Sequence, residues 1–81
     1  MQLGLYRHYK NKDHIYRVLS IALEVESQQK MVVYQTEYDI PELADAYGMR
    51  PVFVRTYDIF NSHIDIEGKK IPRFEYIGDS L

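Results

Sequence analysis

Apolar and polar positions alternate through most of the chain, and the alternation breaks at short polar clusters. That is the pattern of short strands joined by turns. Leu3 to Tyr9 reads as a first strand, with Leu5, Arg7 and Tyr9 on one face and Tyr6 and His8 on the other. Lys10 to Asp13 is polar and suits a turn. Ile15 to Glu26 reads as a long second strand. Ile15, Leu19, Ile21, Leu23 and Val25 share one face, interrupted by Arg17, while the other face opens with Tyr16 and Val18 and ends with Glu24 and Glu26. Ser27 to Lys30 turns the chain into a third strand, Met31 to Tyr38, with Val32, Tyr34, Thr36 and Tyr38 alike.

The segment Asp39 to Met49 is the least strand-like. Pro41 near the start and Gly48 as a stop predict one or two helical turns between them. Val52 to Arg55 is a short strand, and Thr56 is placed to cap a helical turn through Asp58, Ile59 and Phe60. His63 to Glu67 alternates cleanly with Ile64 and Ile66 inward. Gly68 and Lys69 lead into a last strand, Ile71 to Ile77, which Pro72 marks as an edge. Five or six short antiparallel strands with one or two helical turns predict a mainly β fold, a small SH3-like β-barrel or roll, as one domain over residues 1–81. The competing arrangement is an open antiparallel sheet with a short helix on one face. The predicted core is Val18, Leu19, Ile21, Val33, Val54, Phe60, Ile64 and Phe74.

Composition sharpens this. The chain has 81 residues and 46% hydrophobic positions, eight of them Tyr, with no Trp. A tyrosine hydroxyl needs water or a partner, so the core is expected mainly from Ile, Val, Leu and Phe. The net charge of −2 argues against unselective binding to nucleic acid or anionic membranes. No apolar run approaches the roughly 20 residues that span a bilayer, and the polar run from Arg7 to His14 is unlike a signal peptide. The absence of cysteine points to a reducing, cytoplasmic setting and removes thiol chemistry and cysteine-ligated metals.

Six blocks occur in order along the chain: Gly4-Leu5-Tyr6-Arg7-His8-Tyr9-Lys10, Tyr16-Arg17-Val18-Leu19, Val32-Val33-Tyr34, Phe53-Val54-Arg55, Ile59-Phe60 and Pro72-Arg73-Phe74. On these the chain resembles a small bacterial family known as domain of unknown function 1653, over most of residues 4 to 76. The resemblance implies an SH3-type barrel and brings no catalytic residues. The family usually carries Trp at the place of Phe53, Arg-Pro at Arg55-Thr56, and a His-x-Glu where this chain reads Leu23-Glu24-Val25-Glu26.

Reactive constellations are sparse. The four glycines are isolated, no nucleophile elbow surrounds a serine, and His8, His14 and His63 lack helical metal spacing. His63, Asp65 and Glu67 alternate along one strand, which is the ordinary solvated face of an edge as much as a ligand set, so no metal and no cofactor are expected. The basic-aromatic run Tyr6 to Lys10 and the arginines on separate strands are the remaining signal. A first strand paired with the last would make Arg7, Tyr9 and Arg73 neighbours, with Arg55 and Tyr34 as outer members, and converging guanidiniums hold carboxylate or phosphate in bidentate fashion. These five residues are the candidate ligand-binding set, with no catalytic residue among them. The expected role is a non-enzymatic binding module for an anionic or extended partner: a peptide, another subunit, or a nucleic-acid segment held weakly, with self-association also open. The alternative is a small enzyme or metabolite-binding protein with an arginine-based anion pocket.

Overall fold

In the computed structural model, which describes residues 1–80, seven strands form two antiparallel sheets. The larger sheet has the order β4-β3-β2-β1-β7, from β1 (Gly4–His8), β2 (Ile15–Leu23), β3 (Lys30–Thr36), β4 (Val52–Thr56) and β7 (Phe74–Gly78). The smaller is the hairpin of β5 (His63–Ile66) and β6 (Lys69–Pro72). A 3₁₀ turn over Pro41–Leu43 runs into α1 (Ala44–Tyr47), and α2 (Tyr57–Phe60) follows β4. Gly48 ends α1 at φ 83°, as its position in the sequence predicts. Thr56 caps α2 by accepting the Ile59 N–H.

The fold is mainly β, and the first and last strands pair, with Tyr6 opposite Tyr76 and His8 opposite Phe74. The larger sheet is not closed: β4 and β7 are its two edges, so no barrel forms. The expected last strand, Ile71 to Ile77, is two strands broken at Arg73. Pro72 ends β6 against β5, and β7 begins at Phe74 against β1. The β5–β6 loop is the two-residue Glu67-Gly68 turn, both at positive φ, 52° and 79°.

One face of the larger sheet carries the core: Tyr6, Tyr16, Val18, Val32, Tyr34 and Phe74, with Phe60 of α2 laid over them. Phe60 stacks on Phe74 with centroids 4.1 Å apart and an interplanar angle of 3°, and meets Tyr6 and Tyr34 edge-on at 5.4 and 5.2 Å. Val18, Phe60 and Phe74 of the expected core are buried, and Val33 and Ile64 are half-buried. Leu19, Ile21 and Val54 are instead exposed, by 40%, 37% and 62%. The cause for β2 is a bulge between Val18 and Ser20, which shifts the register by one residue and turns Leu19 out of the ladder. Val54 pairs with Val33 on the sheet's other face.

Tyrosines take the vacated places in the core because each buried hydroxyl has a partner. The Tyr6 hydroxyl donates to the Gln2 carbonyl at 2.6 Å, the Tyr16 and Tyr38 hydroxyls bond each other at 2.8 Å, and the Tyr34 hydroxyl accepts Arg55 Nε at 3.1 Å. Burial and the bond to Tyr38 push the Tyr16 hydroxyl well above its ordinary pKa. No helix among the described residues is long and apolar enough to cross a membrane.

Candidate functional site

Strand parity decides which basic groups meet. Tyr6 and His8 face the core side of the sheet, so Arg7 between them faces the other side. There its register partner is Glu75, with Nη1 3.9 Å from the carboxylate, and its Nε is buried without a hydrogen-bond partner. Arg17 lies on the same face and is paired with Glu37 at 2.9 Å. The acid beside Arg7 is the chain's own.

The other candidates gather on the core side, around His8. The His8 ring meets Phe74 edge-on at 5.2 Å and leans on the Tyr9 ring at 4.9 Å. Arg55 lies over the same Phe74 ring, 5.6 Å from its centroid, while its Nε is held by the Tyr34 hydroxyl. Arg73, at the break between β6 and β7, accepts the Tyr9 N–H on its carbonyl and donates its Nε to Ser62 Oγ at 3.1 Å. Tyr9, Tyr34, Arg55 and Arg73 are thus brought to one neighbourhood.

Three residues join them that were not in the expected set: His8, Lys10 and His14. The turn after β1 is fastened at both ends, by the His8 N–H to the His14 carbonyl and by the Asn11 side chain accepting the Asp13 N–H. His14 then stacks on Tyr38 at 4.2 Å and 15°. Together His8, Lys10, Asn11, His14 and Tyr16 line an open cleft of about 490 Å³. The sequence signal was the basic-aromatic run from Tyr6 to Lys10, of which His8 and Lys10, rather than Arg7, line the cleft.

The electrostatics are one-sided. Burial lowers the pKa of His8, and Arg55, His14, Arg73 and Lys10 lower it further. The Lys10 N–H donates to His8 Nδ1 at 3.1 Å, which keeps Nδ1 unprotonated and leaves the ring proton on Nε2. Among the described residues neither Arg55 nor Arg73 is ion-paired; the paired arginines are Arg7, Arg17 and Arg50. A second hollow of about 480 Å³, against Lys30 and Thr56 to Ile59, lacks such a concentration of charge. In the β5–β6 hairpin, Asp65 faces Lys70 across the ladder and Glu67 lies in the turn, so His63, Asp65 and Glu67 do not continue as one strand face.

A family model described as a protein of unknown function, DUF1653, matches residues 4–76. The crystal structure of a DUF1653 protein from Bordetella bronchiseptica is similar to this chain. Its TM-score is 0.79 at 32% sequence identity, covering 98% of this chain and 90% of that one. No curated protein matches the chain.

Proposed function

Since the chain belongs to the DUF1653 family, whose function is unknown, we propose from the site itself that it is a non-enzymatic binding module. It holds an anionic group of its ligand or partner in the cleft at His8. The observation that carries this reading is the meeting of His8 and Arg55 at the Phe74 ring, at 5.2 and 5.6 Å, beside the cleft that His8, Lys10 and His14 line. Like charges gathered without a counter-ion repel, and the arrangement is relieved when an anion enters. Among the described residues, the ion-paired acids are Glu37, with Arg17 and Arg50, Asp39, with Arg50, and Glu75, with Arg7, and no acid is ion-paired with Arg55, Arg73 or Lys10. The rings of the lining, His8, His14 and Tyr16, backed by Tyr9 against His8 and Tyr38 against His14, suit recognition of the flat or apolar part that carries the charge.

The working set is therefore Tyr9, Tyr34, Arg55 and Arg73 with His8, Lys10 and His14, and Arg7 outside it. An NMR titration with sulfate and with tetraglutamate, read on the histidine ring signals, tests this. The expected result is a saturable shift at His8 and His14 that is lost in an Arg55→Gln/Arg73→Gln double variant and kept in Arg7→Gln. Absence of any shift at tens of millimolar anion, or a shift indifferent to the double variant, overturns the proposal.

A further inference from the structure

We infer that β4 is a self-association edge: two copies of this chain pair antiparallel along it, about a two-fold axis at Val54, and join their larger sheets into one. The edge is separated from β1 by β3 and β2, and the inference does not depend on what the cleft holds.

The first support is the free backbone of β4. The strand is one edge of the sheet and runs beside β3 in an unbroken register, from Met31 opposite Thr56 to Gln35 opposite Val52. In that same register the Thr36 N–H donates to the Pro51 carbonyl at 3.3 Å. Bonded and unbonded positions alternate along an antiparallel strand, so Pro51, Phe53 and Arg55 are the residues whose backbone turns to β3. The N–H and C=O groups of Val52 and Val54 therefore point away from the sheet. Among the described residues no turn or loop backbone bonds to them. Such a row is a template for another strand.

The second support is what each position meets. Pairing about Val54 sets Val54 of one copy opposite Val54 of the other, Val52 opposite Thr56, and Phe53 opposite Arg55. The two Val54 residues exchange a pair of backbone hydrogen bonds, and each Thr56 N–H reaches the Val52 carbonyl of the other copy. Valine and threonine suit adjacent strand positions, a guanidinium suits an aromatic ring, and no like charges are opposed. Val52 and Val54 are 51% and 62% exposed, beside the half-buried Val33 and Met31 on the same face of the sheet. Pairing makes one apolar band of the two faces. The row of Val52, Val54 and Thr56 is complementary to its own reverse, which commits the edge to a second copy rather than to a foreign strand.

The third support is the contrast between the two edges. β4 contains no lysine, no proline and no bulge against β3, the devices that usually blunt an edge. β7 has several. It begins at the Arg73 break just after Pro72, carries the exposed Glu75 within it, and is bulged against β1 between Leu5 and Tyr6. A sheet joined through β4 ends in a protected β7 on both sides, so association closes at two copies.

The test is the mass of the intact chain by sedimentation equilibrium up to about 1 mM, with amide hydrogen exchange across the same range. The expected result is a monomer–dimer equilibrium in which the Val54 and Thr56 amides become slower to exchange as concentration rises. Val54→Lys and Val54→Glu each set like charges face to face and are expected to weaken the dimer at least about tenfold. An equimolar mixture of the two variants is expected to recover it. Val25→Lys, which adds the same charge at a position 81% exposed outside the strands, is expected to leave the dimer unchanged. Circular dichroism checks that each variant is folded. A chain that stays monomeric throughout, a dimer indifferent to both Val54 variants, or Val54 and Thr56 amides indifferent to concentration overturns the inference. A mass that climbs past two copies overturns the closed two-fold pairing.

Discussion

Phe60→Ala removes the ring that α2 lays over the core face of the larger sheet. Phe60 is 1% exposed and touches three other aromatic rings, flat on Phe74 and edge-on to Tyr6 and Tyr34. Truncating a buried Phe costs about 3–5 kcal/mol through lost transfer energy and the cavity left behind. Aromatic pairing adds roughly 0.5–1.5 kcal/mol per good pair, which places this site towards the upper end of that range. A chain of this length has a total stability of about 4–12 kcal/mol, so the variant is expected to lose from about a third to all of it. Urea unfolding followed by far-ultraviolet circular dichroism, with tyrosine emission as the second probe, gives the midpoint and slope. Leu19→Ala is the control. Leu19 is 40% exposed at the β2 bulge and its truncation is expected to cost about 1 kcal/mol or less. If Leu19→Ala costs as much as Phe60→Ala, or Phe60→Ala costs under about 1 kcal/mol, the core does not centre on the α2 aromatic and the face assignment is wrong.

Two further outcomes follow from local geometry. Because His8 holds its proton less readily in the folded chain than in the unfolded one, stability is complete above the ordinary histidine range, about 6.5. It falls as pH drops through that value towards the folded-state one. Urea midpoints are expected to decrease on acidification from slightly alkaline to mildly acidic buffer, with the decrease blunted in His8→Gln and reversed by bound anion; a flat or rising profile refutes this. Gly4→Ala places a Cβ 2.9 Å from the Gly78 carbonyl oxygen and 3.1 Å from the Tyr76 ring, at a φ of +129°, and is expected to cost at least about 1–3 kcal/mol by thermal melting. An alanine variant as stable as the parent means that β1 and β7 do not approach as described.

The sequence made the strand positions legible because alternation and turn residues are local signals. The Thr56 cap and the Gly48 stop were foreseeable on those grounds, and the pairing of the first strand with the last was foreseeable from the expected SH3-like arrangement. The β2 bulge was not, since one extra residue at Leu19 leaves no mark in a run that is apolar on both faces. From that one shift came the misplacement of Leu19. The tyrosine core was missed for a different reason. Composition shows that a hydroxyl needs a partner, but only the fold shows that Tyr38, Gln2 and Arg55 supply one. At the site, the basic-aromatic run was visible, yet strand parity and the break at Arg73 are facts of register. They replace Arg7 with His8, and a pairing of neighbours in sequence order with a meeting across the sheet.

The pairing of β1 with β7 has a consequence in time. The contacts β1–β2, β2–β3 and β3–β4 join neighbours in sequence, the first two across short turns and the third across the segment that holds α1. The register of Tyr6 with Tyr76 and His8 with Phe74 must instead bring together the two ends of nearly the whole chain. Loop closure over such a span comes late, because its entropy is lost before any contact rewards it. Folding is therefore expected to proceed as an early meander of β1 to β4, with β7 docking last. The docking step carries Phe74 and Arg73 into place. On this account the cleft takes shape with the β1–β2 hairpin that lines it, while its Phe74 and Arg73 side is added last and is absent from any chain still emerging from the ribosome with only β1 to β4 formed.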